Sequence, residues 1–375
     1  MMKITIHKSV LLKQLIQVSV GASDNNVVEV LRGVLFSLNE DRLQLVAGDT
    51  NFFIKTEIPA TDYKIHKPGA IILYAKEVTE VIKRMPDSLI DIEVKDTSAK
   101  ISSGKTKITL RGIESEMFPK LPSDPQKHDL EMPGNDLKEL IQMTSFAVYK
   151  KEDFPIITGI RMSFTDSGIK FTACDRKRFA IVTDPLKSDL NRELVIASEH
   201  MGKVNSAIKD NDTVSISVSD PMVIFKSAGI TIYARILNGS YPDVESMFSN
   251  SEYAFSICKR SDLVEALERS RITAEKNKNG GFLIKLQQIN GEVVIESKNE
   301  YAEETRDHVT AELSGGKPIL VGCDGKYLLD ALKAIKDDTV KIRFAGEGMP
   351  VIISNGDEDL AMYLVCIQRI REDLA

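Results

Sequence analysis

The run Ala99-Lys100-Ile101-Ser102-Ser103-Gly104-Lys105-Thr106 ends in Gly-Lys-Thr, the close of a phosphate-binding loop. Such a loop opens a helix whose first backbone N–H groups cradle the phosphate. Here Ala99 stands in place of the first Gly, and alternating apolar and polar residues flank the turn. The pattern predicts a hairpin turning at Ser103-Gly104. Asp49 and Asp175 are a second candidate, carboxylates that each close a similar strand-like run. Their repetition points to a strand-end or turn role, because Asp side chains bond backbone N–H groups two residues on. The alternative makes them the centre of a carboxylate-based enzyme site. Asp184 and Asp243 adjoin Pro and read as turns. Cys174, Cys258, Cys323 and Cys366 lie far apart in apolar or strand-like surroundings, without Cys-x-x-Cys, which predicts buried, reduced thiols. The five His residues are scattered, and His200, on a predicted helix, reads as a surface or satisfied position. No Gly-x-Ser-x-Gly or His-Glu-x-x-His run is present, so the expectation is no catalytic residue, metal or cofactor.

The elements that would position these residues recur three times. Leu12-Lys13-Gln14-Leu15-Ile16-Gln17, Leu137-Lys138-Glu139-Leu140-Ile141-Gln142 and Leu263-Val264-Glu265-Ala266-Leu267-Glu268 have helical spacing, and their first leucines are 125 and then 126 residues apart. Short strands precede them at Lys3–His7, Asp129–Met132 and Tyr253–Cys258. Two strand-like runs follow, from Gly33 to Asp49 and from Gly159 to Asp175, with 16 residues from Gly to Asp in both. The third copy, Gly281 through Asn299, is looser. A second helix recurs, ending in Ala207-Ile208-Lys209 and Ala334-Ile335-Lys336 in the later copies and in Val81-Ile82-Lys83 in the first. Phe118-Pro119, with Pro122 and Pro125, and Tyr241-Pro242-Asp243 mark junctions. The chain therefore divides into 1–125, 126–248 and 249–375. Stretches such as Thr213–Val218 alternate like half-buried antiparallel strands. The expected fold is α+β, three tandem domains with two helices packed on antiparallel sheets in each.

Hydrophobic residues make up 42% of the 375, enough for a core in each domain. No run approaches about 18 apolar residues, and the start alternates like a strand without a signal core, so a cytoplasmic chain with no membrane partner is expected. The net charge of −6 argues against a surface coated with nucleic acid. Its distribution is uneven. The six helical stretches 7–17, 75–84, 135–143, 198–209, 260–269 and 325–336 together carry +4, leaving −10 elsewhere.

Across nearly its whole length the chain resembles the bacterial sliding clamp, the β subunit of DNA polymerase III. The resemblance rests on the three-domain period, the opening Met2–Ile6 with Leu11-Leu12-Lys13, and Pro155-Ile156-Ile157-Thr158-Gly159. It also rests on Thr172–Ala180, on Gly239-Ser240-Tyr241-Pro242-Asp243 and on Tyr327–Leu332. It implies a head-to-tail homodimer, a ring of six similar domains around double-stranded DNA, with sheets outside and helices lining the hole. Such a ring holds DNA by topology, and tight phosphate contacts would oppose sliding. The lining candidates are Lys8, Lys13, Lys76, Lys83, Arg84, Lys203, Lys209, Lys326, Lys333 and Lys336, although lysines on any amphipathic helix face water. Lys150 and Lys151 match a DNA-contacting loop of the family. The implied partners are the α subunit of DNA polymerase III, other proteins bearing clamp-binding peptides, and an ATP-using clamp loader.

The family binds those peptides in an apolar pocket between the second and third domains. The matching positions are Ile157, Cys174, Asp175, Arg178, Phe179, Pro242, Met247, Met349, Pro350, Leu364, Val365, Cys366, Ile367, Gln368 and Arg369, several of which read equally as core strand residues. The dimer contact would join an edge strand bearing Ile108 and Leu110 to Ile272 and Thr273, after the third domain's first helix. Two departures stand out. Arg176-Lys177 replaces the family's usual Gly-His or Ser-His, and Ile367-Gln368-Arg369 lacks the usual Pro and is followed by a tail, Ile370–Ala375. They imply a divergent clamp with altered peptide preference. The alternative is an interaction protein on the clamp scaffold that does not encircle DNA.

Overall fold

The computed structural model describes residues 2–125, 127–248, 254–277, 280–314, 319–344, 346, 348–356 and 360–369. Tyr253 and the tail Ile370–Ala375 fall outside them. Six α-helices lie among the described residues: α1 (Lys8–Ser19), α2 (Ala75–Arg84), α3 (Gly134–Ser145), α4 (Ser198–Ala207), α5 (Arg260–Thr273) and α6 (Gly325–Ala334). They agree with the predicted stretches to within a few residues. Ile272 and Thr273 form the last turn of α5 rather than following it. The chain condenses into two compact units, one of residues 1–137 and 199–236, the other of 138–198 and 237–375.

The first unit contains two antiparallel sheets. One has the order Tyr63–Lys67, Met2–His7, Leu89–Lys95, Ser98–Ser103, Thr106–Arg111. Its last two strands are the predicted hairpin, turning at Gly104 with φ +57°, a left-handed conformation that glycine adopts without strain. The other sheet has eight strands. In it Phe52–Pro59 pairs with Ile230–Arg235, distant in sequence, from Phe52↔Ala234 to Thr56↔Ile230. Helix α2 buries Ala75, Val78 and Ile82 at helical spacing and presents Lys83 and Arg84 in its last turn, where cations suit the helix dipole. The Lys8 ammonium donates to the Met85 carbonyl at 2.7 Å, satisfying one of the groups left at that end.

The second unit is built on one twelve-stranded antiparallel sheet. Within it Arg178–Asp184, the fourth strand, pairs with Ala361–Val365, the fifth, from Arg178↔Val365 to Val182↔Ala361. Both hairpins of the 16-residue repeat form, with Leu35↔Val46 in the first unit and Arg161↔Thr172 here. The repeated glycine that opens each is explained by close approach. A Cβ at Gly33 would overlap the Ile72 side chain, and one at Gly159 would overlap Val195. Both repeated aspartates turn out to be turn residues. Asp49 Oδ1 accepts from the Asn51 N–H at 2.8 Å, and Asp175 Oδ1 from the N–H groups of Lys177 and Arg178, each at 3.0 Å.

Candidate functional site

Within the second unit, the Asp175–Arg178 turn lies beside a cavity of about 620 Å³. Val148, Tyr149, Lys150 and Lys151, the turn itself, Gly281, Asp324, Lys326 and Tyr327 line it. Helix α6 presents its first turn here because Asp324 caps it: Oδ1 accepts from the Lys326 N–H at 3.0 Å. Asp324 also accepts from the Phe282 N–H and from Asn277 Nδ2, so this carboxylate is spent on holding the chain.

Arg178 is the hub of the site. Its side chain is 9% exposed. Nε donates to Asp175 Oδ2 at 3.0 Å, Nη1 to Asp330 and Nη2 to the Phe146 carbonyl at 2.7 Å. Its plane also lies 4.5 Å from the Tyr327 ring centroid and 5.2 Å from that of Phe146. A guanidinium so fully engaged positions the turn and α6 instead of reaching outward. Arg176 and Lys177, two residues and one residue earlier, are exposed. Arg176 holds φ +74° and stacks its guanidinium 5.0 Å from the Phe154 ring.

Beneath the turn lies a buried apolar cluster of Ile157, Cys174, Phe179, Ile181, Val244, Ile352 and Leu364, with Tyr149, Tyr241 and Cys366 packed against it. Burial pushes the Cys174 and Cys366 thiols up, and the Cys258 thiol up to about 12, which keeps all three protonated and weakly reactive. Cys366 departs from the expectation of full burial and is only partly buried. The Cys366 N–H donates to the Lys177 carbonyl at 2.9 Å and the Gln368 N–H to the Gly322 carbonyl at 2.7 Å. Gln368 Nε2 sits 3.5 Å from Asp324 Oδ2.

The residues singled out from sequence thus separate into groups. Asp175 and Arg178 line the cavity; Ile157, Cys174, Phe179, Leu364 and Cys366 belong to the cluster below. Val365 is buried in its strand. Met247, Met349 and Ile367 are 50%, 47% and 37% exposed, Pro242 and Arg369 are exposed and Pro350 is half-buried, and none of these lines the cavity. Lys150, Lys151 and Lys326, expected at DNA, also line this cavity. Sequence reasoning missed Tyr149, Phe146, Asp324, Tyr327 and Asp330 as site residues. Tyr327 and Asp330 occupy the third and sixth places of α6, where His200 and Lys203 stand in α4, and aligning the repeats by helix position would have exposed them.

Most of the helix cations are held by carboxylates. Lys76 pairs with Asp24, Lys83 and Arg84 with Glu80, Lys203 with Glu199 and Asp49, Lys333 with Glu268 and Lys336 with Glu139. Lys13 and Lys209 are exposed. Of the two readings of His200, surface or satisfied, the surface one falls, because the ring is buried and stacks on Phe52 with centroids 5.1 Å apart. On the hairpin strand Thr106–Arg111, at the edge of its sheet, Ile108 and Leu110 are half-exposed. Ile272 is 74% exposed, whereas the Thr273 hydroxyl bonds inside the chain to Ser297 and Thr305. Among the described residues no group of His, Cys, Asp or Glu gathers three metal donors, and no helix is long and apolar enough to cross a membrane.

Three α+β repeats, two helices to each and sheets antiparallel throughout, define the class: tandem clamp domains. Profiles for the N-terminal, central and C-terminal domains of the DNA polymerase III beta subunit match residues 2–122, 131–243 and 246–368. The chain belongs to that family. It is 26% identical over 374 residues to the beta sliding clamp of Bacillus subtilis, covering 97% of this chain and 98% of that one. It is 25% identical over 378 residues to the beta sliding clamp of Staphylococcus aureus, covering 98% and 100%. The solved structure of the DNA polymerase sliding clamp from Bacillus subtilis superposes with a TM-score of 0.94 at 26% identity, over 99% of this chain and all of that one.

Proposed function

We propose that this chain is a DNA sliding clamp, a processivity factor for replication. Two copies close head to tail around duplex DNA, and the ring tethers the polymerase and other partners through peptides that dock at the cavity beside Asp175–Arg178. The observation that carries this reading is the ordered match of all three family domains along one chain. The charge pattern supports it. Helix cations already paired with carboxylates leave a weak attraction for phosphate, as a ring that slides requires. We place the domain borders near 125 and 248, assign Ile108, Leu110 and Ile272 to the contact between copies, and assign Lys13 and Lys209 to the DNA-facing surface.

Sedimentation across a dilution series tests the ring. A species of twice 41.7 kDa that persists to nanomolar concentration is expected, together with retention on circular but not linearised DNA. Ile272→Asp should give monomers. A wild-type monomer at micromolar concentration would overturn the ring and leave an interaction protein on the same scaffold.

A further inference from the structure

We propose that the cavity beside the Asp175–Arg178 turn selects acidic partner peptides, in which carboxylates flank an aliphatic or aromatic anchor. The proposal rests on reading the cavity as the partner site and adds the chemistry of the partner. Six cations line the cavity against two carboxylates. Both carboxylates are consumed within the chain, Asp175 by the turn and Arg178, Asp324 by the α6 cap and its neighbours. Arg178 is consumed with them. Lys150, Lys151, Arg176 and Lys177 are at the rim, and no carboxylate among the described residues pairs with them. The excess positive charge therefore faces the ligand. Val148, Tyr149 and Tyr327 supply apolar lining for an anchor. A concave site with this mixed lining fits a peptide better than a duplex, whose phosphates need no anchor. Complementary rim charge discriminates among partners more than it adds affinity. Arg176 and Lys177 are the specificity-determining pair, since they rise from the turn that Arg178 fixes.

Three fluorescent peptides with the same Leu and Phe anchors, flanked by Glu, Gln or Lys, would be titrated against the full chain by anisotropy. The acidic peptide should bind roughly 3- to 10-fold tighter than the neutral one, and the basic one most weakly. The preference should shrink in high salt, vanish in the double variant Arg176→Ser/Lys177→Ser, and survive in Lys95→Ser/Lys105→Ser, which removes equal charge from exposed positions in the first unit. Equal affinity for the acidic and neutral peptides would overturn the selection and leave the partner site standing. No binding by any peptide would overturn both. An acidic peptide with Ala in place of its anchors that binds undiminished, and is displaced by a short oligonucleotide, would assign the cations to phosphates and overturn the proposal.

Discussion

The two repeated turns, Asp49–Phe52 and Asp175–Arg178, share their hydrogen bonds but differ in chemistry and in backbone, since Arg176 holds a positive φ that its counterpart Thr50 does not. In each, the Asp N–H donates to the carbonyl three residues on, and the Asp carboxylate accepts from the N–H two residues on. A phenylalanine follows in the same register, Gly48↔Phe53 and Cys174↔Phe179. In the first unit Phe52 meets His200 and Lys203 of α4, and Lys203 lies 3.7 Å from Asp49. In the second, Arg178 meets Tyr327 and Asp330 at the matching places of α6. Cation and carboxylate have changed sides. The turn needs its Asp and the following Phe, while the residues between them are free: uncharged Thr50-Asn51-Phe52 in one unit, Arg176-Lys177-Arg178 in the other.

Removing the hub should break the comparison most severely. Arg178→Ala strands Asp330, Asp175 and the Phe146 carbonyl and should cost roughly 3 kcal/mol or more in urea unfolding. Hydrogen exchange should rise in 171–181 and 325–334 while 42–59 keeps its protection; equal loss in both regions would mean the turns are not independent. The helix-side partners come next. Asp330→Ala should cost roughly 2 kcal/mol, because it removes a charge partner of a buried guanidinium, and Lys203→Ala at most about 1 kcal/mol, because Phe52 keeps its stack on His200. Equal costs would refute the asymmetry.

A smaller effect depends on pH. Burial, outweighing Asp49 and Glu199, holds the His200 imidazole below its ordinary value of 6.5. The unfolded chain then takes up the proton first, so the first unit is fully stabilised above about pH 6.5 and weakens as pH falls through the folded value. His200→Phe should flatten that window, read as urea midpoints at about pH 7.5 and 5.5. An unchanged slope would assign it to other groups. The least effect is expected for Arg176→Gly. It relieves φ +74° but loses the stack on Phe154, so stability should shift by less than about 1 kcal/mol in thermal melts. A large loss would give Arg176 a structural role that its counterpart Thr50 does not share.

Local order is legible in the sequence. The helices announce themselves by apolar spacing, the hairpins by alternation, and Asp49 and Asp175 by repetition at a turn. The pairing of Phe52–Pro59 with Ile230–Arg235, and of Arg178–Asp184 with Ala361–Val365, is not, because partners so far apart along the chain leave no local trace. The same reason hides the site. Charge counts along a helix do not show that Glu268 and Glu139 claim Lys333 and Lys336, nor that Lys150, Lys151 and Lys326 share a cavity with Arg178. Arg178 is legible as a charge at a pocket and not as the pin that holds it.

Those distant pairings also set what a protease could release. A fragment ending near 125 would carry Phe52–Pro59 without Ile230–Arg235 alongside, and one starting near 249 would carry Ala361–Val365 without Arg178–Asp184. Each would present a bare row of N–H and C=O groups along an apolar strand, a template for indiscriminate self-assembly. Descent by duplication would explain why the sequence reads in thirds. The uncut chain keeps both edges paired.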